Sequence, residues 1–449
     1  MNNTIVNDRF RIDSAPLLFF IIGFSMFSVD GIPYITYTDY KPISAIFLGI
    51  SLFLLITSRG SRLCWHSTEK ILLFFVFYSI LHSLLVALQI RDIKSSIEHI
   101  LSLFVGLIVY FCIVSILPYL KKAKQPEKIF NLLLIFTFLF PIMFGILQIL
   151  DLLLGIGSVN KLTSLFVSRT YGRVQMLSNE PSWAAIHILV GIILFNYYRK
   201  DYMLSKIFFY VLVILFIFTF SMNGYIVLMI TIIFYLLIKR EIKALFLFFL
   251  GLLLFIAIGY IINLLQLEGY YVHRFDFKQY YHFGKLLHND GSIFVRVVFP
   301  IIGLIQFLEN PILGVGGGFY YLDFARIIQE HFSYGLSFNE VYFNAFVDPS
   351  NANPRNLIVK ILAEEGLVGF IVFLFFLFKL FTYCKSDYSK FVFCFGLAMV
   401  MNFDSYAFVD FWIMLAFIRS GCFERDGGGA IRWGGISFQI VRRTGSDSK

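Results

Sequence analysis

Residues 353–370, NPRNLIVKILAEEGLVGF, mark the point where a long polar stretch gives way to an apolar run. The polar stretch extends from Leu264 to Asn356. The apolar run that follows, 357–378, is long enough to cross a bilayer as a helix, which takes about twenty residues. Apolar runs of similar length fill most of the remaining chain. This alternation predicts an all-α polytopic membrane protein with one large water-facing loop, where we expect the function to lie.

The composition agrees with a membrane protein. The chain is 59% hydrophobic and 14% charged, whereas soluble domains are about 45–50% apolar and about 25% charged. The net charge of +9 comes from short basic clusters between apolar runs, not from a single basic patch. Clusters of this kind indicate membrane topology and do not predict nucleic-acid binding.

Twelve apolar runs are candidate membrane spans. They cover residues 15–32, 43–57, 71–90, 99–119, 129–150, 183–198, 204–221, 224–238, 243–263, 357–378, 390–402 and 405–419. The last two are short, so they form either two spans, one bent hairpin, or a single span with an interfacial piece.

The distribution of lysine and arginine predicts the orientation. Every second connection is basic, namely 58–70, 120–128, 199–206, 239–243 and 379–390. Twelve spans with both termini in the cytoplasm place all of these clusters inside. The large loop then faces outward. A thirteenth span at 293–308 would move the basic connection 379–390 outside, so we expect that run to pack against the outer membrane face or within the protein.

These boundaries divide the chain into four parts. Residues 1–263 hold spans one to nine, and 264–356 form the large extracytoplasmic loop. Residues 357–419 hold the C-terminal spans, and 420–449 are expected to be a cytoplasmic tail.

The first outward segment whose residues could take part in catalysis is YGRVQMLSNEPSW, residues 171–183. Glu180 and Ser182 stand at a helix start, where a carboxylate complements the helix dipole and a hydroxyl can cap free N–H groups. A capped helix start explains these residues as well as a catalytic role does. In the functional interpretation, Arg173 and Glu180 face a lipid-linked substrate at the membrane rim.

The second outward segment is the large loop. Arg296 lies in the apolar run SIFVRVVFP, where an arginine at a span centre costs roughly 2.5–3.5 kcal/mol. Such a residue normally has a carboxylate or a phosphate as its partner. Gly316 and Gly317, in ENPILGVGGGFYY, would let backbone N–H groups approach an anion, although a flexible turn explains them too.

The loop ends at charged residues. Arg355 and Asn356 directly precede span ten, and Glu364 and Glu365 follow about two turns inside it. Adjacent carboxylates near the outer leaflet need cationic partners, such as Lys360 or Arg355.

Histidines are treated as secondary candidates. His82, His187 and Asp410 lie within predicted spans, where packing or interhelical hydrogen bonding is the expected role. The loop histidines at positions 273, 282, 288 and 331 are expected to be surface residues.

Taken in order, GR…EPSWAA, then an arginine followed by ENPILGVGGGFYY, then N-LIVKILAEEGLVGF resemble the O-antigen polymerase and ligase superfamily. The resemblance covers residues 172–183 and 296–370 and the layout of the spans. It implies a GT-C-type membrane fold acting on undecaprenyl-pyrophosphate-linked glycans in the bacterial inner membrane, with the active site on the outer face.

The resemblance also implies site residues. An outward arginine corresponds to Arg173, and an arginine in the large loop corresponds to Arg296. A His-Asn pair followed by an E-x-G-type segment is matched in part, by Asn356, Glu365 and Gly366. Arg355 stands where the histidine is expected. Because arginine does not deprotonate in proteins, it can only pair with a phosphate or a carboxylate.

The implied function is a glycosyltransferase that polymerises lipid-linked repeat units. Glu180 is the first candidate for the base and Glu365 the second, while Arg173, Arg296 and Arg355 would stabilise phosphate charge. The outward loops contain no DxD pair and no HxH, so neither a metal nor another cofactor is indicated. A chain-length regulator protein is an expected partner besides the glycan substrate and membrane lipid. The alternatives are an O-antigen ligase, and a transporter or flippase of lipid-linked oligosaccharide.

Overall fold

The structure is a computed structural model, and it describes residues 14–29, 42–58, 66–121, 125–155, 158–165, 172–199, 201–251 and 283–424. Regular structure within these ranges is helical throughout, without a strand. Three predicted parts lie outside the described residues: the end of span nine (252–263), the first part of the large loop (264–282, with His273 and His282) and the cytoplasmic tail from 425 onward.

Seventeen helices are used below. They are α1 Ser14–Ser25, α2 Ile43–Thr57, α3 Ser67–Ile90, α4 Ile93–Leu120, α5 Pro126–Leu154, α6 Ser158–Thr163, α7 Pro181–Tyr198, α8 Met203–Phe218, α9 Met222–Lys239, α10 Ile242–Gly251, α11 Phe283–Asn289, α12 Gly291–Glu309, α13 Phe324–His331, α14 Asn339–Tyr342, α15 Leu357–Phe381, α16 Asp387–Val400 and α17 Val409–Arg419.

A helix lies within each of the twelve predicted spans. Among the described residues, seven helices are long and apolar enough to cross a membrane, namely α3, α4, α5, α7, α9, α12 and α15. The helices α1, α2, α8 and α10 are shorter apolar helices. The prediction of an all-helical chain with several membrane spans is therefore confirmed, while the number twelve and the orientation stay predictions.

The predicted last two spans are distinct helices, α16 and α17. Between them the chain bends, and the rings of Phe403 and Phe408 stack with centroids 4.4 Å apart. Trp412 on α17 then lies against Gly106 of α4, where any side chain would collide with the indole. Close approach at this glycine lets α17 pack deep in the bundle.

The described part of the large loop, 283–356, forms short helices around an apolar core of its own. Phe294, Phe299 and Ile302 on α12 pack with Phe324 and Ile328 on α13, and all five are buried. Helix α12 also contacts α15, where Gly303 lies against Val359. One part of its surface is thus packed against protein, but it also has the length and apolarity of a span, so its place outside the set of spans stays a prediction.

Helix α15 is broken at Gly366, which has φ 64° and ψ −165°. This region of backbone space is essentially restricted to glycine. A break inside a membrane helix frees backbone groups that cannot bond to water. Residues 311–316 of the large loop satisfy them: Val315 and Gly316 donate N–H groups to the carbonyls of Ala363 and Glu364, each over 2.9 Å.

The pairing continues on the other side of the break. The N–H of Leu367 donates to the Pro311 carbonyl over 2.9 Å, and that of Val368 donates to the Ile312 carbonyl over 3.3 Å. The loop segment 311–316, which we call the break-filling segment, therefore replaces the missing helical hydrogen bonds of α15.

A side chain at Gly366 would disrupt this arrangement. In Gly366→Ala the new Cβ overlaps the carbonyl oxygen of Ile312, and the backbone leaves its preferred region. We expect destabilisation of at least about 1–3 kcal/mol from the strained backbone alone, measured as a lower thermal unfolding midpoint of the detergent-purified protein.

The matched control is Gly396→Ala in α16, where a Cβ meets only ordinary contacts of 3.6 Å or more. This variant should unfold at the wild-type temperature or slightly above it. Equal stability of the two variants would contradict a structural role for the break.

Candidate functional site

At the ends of α7 and α15 that the topology predicts to face outward, four charged side chains from separate parts of the chain approach one another. We call this set, Glu180, Glu340, Arg355 and Asp404, the rim cluster. The Arg355 guanidinium donates to the Glu340 carboxylate over 2.7 Å, and its backbone N–H donates to Asp404 over 3.0 Å. Glu180 interacts with the same guanidinium electrostatically.

Arg355 is held in an unusual way. Its φ of 52° lies in the left-handed region, which is uncommon for a residue with a side chain. Burial alone would lower the pKa of its guanidinium, but the carboxylates of Asp404 and Glu340 outweigh this effect and raise it. The side chain is 41% exposed, so the cluster remains open to solvent. In this structure Arg355 is a carboxylate partner, one of the two roles expected for it.

Asn356 fixes the start of α15. Its side-chain oxygen accepts the N–H of Val359 over 3.0 Å, which caps the helix. Its side-chain amide donates to the Met401 carbonyl at the end of α16 over 2.9 Å. Asn356 therefore ties two helices together beside the rim cluster, and its predicted contact with substrate stays a prediction.

Glu180 stands at the start of α7, immediately before Pro181. Its carboxylate accepts the hydroxyl of Ser182 over 2.7 Å and makes no capping bond to the helix backbone. The side chain is exposed. An exposed carboxylate at a helix N-terminus, beside a guanidinium, can accept a proton from a bound hydroxyl.

Arg173 lies at the end of α8. Its guanidinium donates to the carbonyls of Thr219 and Phe220 over 2.9 and 3.0 Å. These bonds fix the side chain between the segment that precedes α7 and the start of α9.

Arg296 is located differently from the other predicted site residues. It is exposed on α12 and donates to Ser292, one turn earlier in the same helix. Within the described ranges it forms no ion pair with a carboxylate. Its positive charge is therefore directed outward from the large loop.

The glycines of the loop serve a different purpose from the one their sequence suggests. The N–H of Gly316 is used in the break-filling segment, and Gly317 packs against the His99 ring so closely that a side chain would collide with it. The Gly317 carbonyl accepts the hydroxyl of Ser83 over 2.7 Å. The backbone N–H of Gly318 interacts with the Glu364 carboxylate. The anion that this run approaches is thus a carboxylate of the same chain.

A hydrogen bond between Tyr321 and Asp92 anchors the loop to α4. Tyr321 donates its hydroxyl to Asp92, the residue that caps α4, and Asp92 also accepts the hydroxyl of Ser95 over 2.7 Å. Burial alone would raise the pKa of Asp92, but these bonds stabilise its ionised form and lower the pKa. For Tyr321, burial and the bond to Asp92 raise the pKa to about 12.

Below the rim, the structure brings together His82, His99, Glu364 and Glu365, which we call the buried cluster. The His99 Nε2 atom lies 3.3 Å from Glu365 and its Nδ1 atom 3.6 Å from Glu364. His82 Nδ1 lies 3.6 Å from Glu365, and Lys360 lies 4.0 Å from Glu364. Lys360 was among the expected partners of these carboxylates.

The buried cluster lies within the bundle. His99 is the seventh residue of α4 and Glu365 the ninth of α15, so they lie about 9 and 12 Å from those helix starts. Sequence reasoning assigned His82 to packing and did not single out His99. In the sequence, His99 is only a histidine at the start of the predicted span 99–119, and this position gives no information about a partner far away in the chain.

A second buried pair joins two other helices. His187 Nδ1 on α7 lies 2.9 Å from Asp410 on α17, and both residues are fully buried. This is the interhelical hydrogen bond expected for these residues.

Comparison with known proteins provides independent information. A family model described as O-antigen ligase matches residues 207–374. The matched segment contains α12, the break-filling segment, the rim residue Arg355 and the carboxylates of α15, but not Arg173 or Glu180. No curated protein matches the chain. The match confirms the resemblance to the O-antigen polymerase and ligase superfamily that the sequence motifs predict.

Proposed function

We propose that this protein is a membrane glycosyltransferase that polymerises undecaprenyl-pyrophosphate-linked repeat units into O-antigen, capsule or exopolysaccharide. The observation that carries the proposal is the rim cluster, in which Glu180 interacts electrostatically with Arg355, a residue of the segment that the O-antigen ligase family model matches. A GT-C-type architecture and a location in the bacterial inner membrane, with this end facing outward, are part of the proposal.

In this mechanism, Glu180 accepts the proton of the acceptor sugar hydroxyl. The hydroxyl oxygen then attacks the anomeric carbon of the growing glycan, and the bond to undecaprenyl pyrophosphate breaks. Because pyrophosphate leaves as a stable anion, it needs charge stabilisation and no proton donor. Arg173 and Arg296 supply that charge. Each guanidinium group can bind two phosphate oxygens at once and remains charged at any relevant pH. No metal ion or other cofactor takes part in this transfer step.

The rim arrangement favours Glu180 over Glu365 as the base. Glu180 is exposed, whereas Glu365 is fully buried and already paired with histidines. A base must come within hydrogen-bond distance of the proton that it removes. Arg355, surrounded by carboxylates, positions Glu180 and does not bind the diphosphate in this scheme.

A transporter or flippase is less consistent with the interior of the bundle. Transporters line a central binding site with broken helices. Here the break of α15 is filled by the chain's own residues 311–316, and the adjacent carboxylates pair with His99 and Lys360.

The family match supports a ligase as well as a polymerase, and deletion of the protein separates the two. Gel analysis of surface glycan should show a single repeat unit on lipid A-core, because ligation continues without polymerisation. Unmodified core with accumulated carrier-linked polymer would instead identify a ligase.

Removing either proposed phosphate-binding arginine should abolish long chains. We expect Arg173→Ala and Arg296→Ala each to lose the polymer ladder while the protein still reaches the membrane. Each loses a charge-assisted contact to the leaving diphosphate, worth about 1.5–3 kcal/mol. Gel analysis of the surface glycan measures the chain length, and immunoblotting of isolated membranes measures the amount of protein that reaches the membrane.

Arg326→Ala is the matched control for these arginines. Arg326 is exposed in the same loop and pairs with Glu309 over 2.7 Å, and such an exposed ion pair contributes little to stability. Its ladder should be normal. Normal ladders from both Arg173→Ala and Arg296→Ala would overturn the diphosphate proposal.

Replacing the proposed base should slow transfer without unfolding the protein. Glu180→Gln keeps the size of the side chain but cannot accept the proton, so the transfer rate should fall by about 10²–10⁴-fold. The rate is measured with purified protein and a lipid-linked repeat unit. Glu330→Gln, an exposed change on α13, is the control. A wild-type rate for Glu180→Gln would assign the proton transfer to another group.

A further inference from the structure

The buried cluster takes no part in the mechanism above, yet it concentrates charge in the bundle interior. The exposed fractions are 5% for His99, 1% for Glu364 and 0% for Glu365. A buried ionised carboxylate is costly unless it is paired with a cation or a metal ion. Lys360 lies 4.0 Å from Glu364, whereas the basic groups close to Glu365 are two histidines, His99 at 3.3 Å and His82 at 3.6 Å.

Several atoms of this cluster have unsatisfied bonding capacity. His99 Nδ1, Glu364 Oε2 and Glu365 Oε2 are buried and have no hydrogen-bond partner among the described residues. A buried polar atom without a partner costs about 1–3 kcal/mol. Three buried polar atoms without hydrogen-bond partners, on three converging side chains, therefore require a specific explanation.

The separations indicate what that explanation is. His99 Nδ1 and Glu364 Oε2 are 3.6 Å apart, too far for a hydrogen bond. Two ligands that each lie about 2.1 Å from one tetrahedral metal ion are about 3.4 Å apart. Ligand atoms from His99, Glu364 and Glu365 all lie within 4.8 Å of one another. The three side chains thus converge closely enough to share an ion once they move slightly toward it.

The second ring nitrogen of His99 has an oxygen partner, as is usual for a histidine that binds a metal. This nitrogen, Nε2, lies 2.8 Å from the hydroxyl of Ser79 and 3.3 Å from the Oε1 atom of Glu365, which leaves the Oε2 atom of Glu365 for the ion. A histidine that binds a metal usually donates its other ring N–H to an oxygen, which fixes the ring and directs the free nitrogen at the ion.

We propose that His99, Glu364 and Glu365 bind one divalent transition-metal ion, with Zn²⁺ preferred. Imidazole and carboxylate ligands together suit this ion, and each carboxylate can use one or both of its oxygens. The ion neutralises the two carboxylates and joins α4 to the broken helix α15. Because the ligands are buried and removed from the rim cluster, the ion has a structural role and the transfer chemistry remains independent of it.

The test uses full-length protein purified in detergent without a histidine tag. After incubation with Zn²⁺ and removal of free metal, mass spectrometry of metals should find on the order of one ion per chain in the wild type. His99→Ala and Glu364→Gln should each retain about tenfold less. His331→Ala, an exposed histidine outside the cluster, should match the wild type.

A stability measurement keeps the proposal testable if a variant is poorly folded. EDTA should lower the unfolding midpoint of the wild type, and Zn²⁺ in excess over EDTA should restore it. The His331→Ala control should respond in the same way. A wild-type protein that retains no stoichiometric Zn²⁺ and whose midpoint does not respond to EDTA would overturn the metal site. Either result leaves the proposed glycan transfer at the rim unaffected.

Discussion

The architecture depends on one constraint: backbone groups freed within a membrane helix must find partners inside the protein. Helix α15 breaks at Gly366, and residues 311–316 form hydrogen bonds with the exposed backbone on both sides of the break. The large loop is thereby inserted into the bundle and is more than an outward attachment. Its glycines are required because Gly314 lies directly against the backbone of α15, and Gly316 lies against Val86 of α3.

This insertion has two consequences for the charged residues of α15. The turn before the break directs Glu364 and Glu365 inward, toward His99 and His82 on α4 and α3. The start of the same helix holds Arg355 at the rim, where it meets carboxylates from three other segments. A single helix therefore connects a closed, buried set of charges with an open set about 12 Å away along its axis.

Much of the helical layout can be predicted from hydropathy alone. Span ten was expected at 357–378 and α15 extends over Leu357–Phe381, because the length of an apolar run is a local property. The break at Gly366 could not be predicted, since it depends on a partner segment some fifty residues earlier in the chain. The position of Glu180 at a helix start was predictable from Pro181 and Ser182. The approach of Arg355 to Glu180 was not, because it requires the tertiary packing of α7, α15 and α17.

The same distinction explains why His99 was missed and why the close packing of the loop glycines against α3 and α4 could not be foreseen. From the sequence, a side chain can be judged only by its type and its neighbours in the chain. A histidine among apolar residues is then assigned to helix packing. Its chemistry becomes visible only when Ser79 fixes one ring nitrogen and two carboxylates approach it. At the rim, charges stay partly exposed, where they can exchange protons and bind a substrate. In the interior, His99, Glu364 and Glu365 are shielded from water, and there the proposed ion balances the carboxylates and joins α4 to α15.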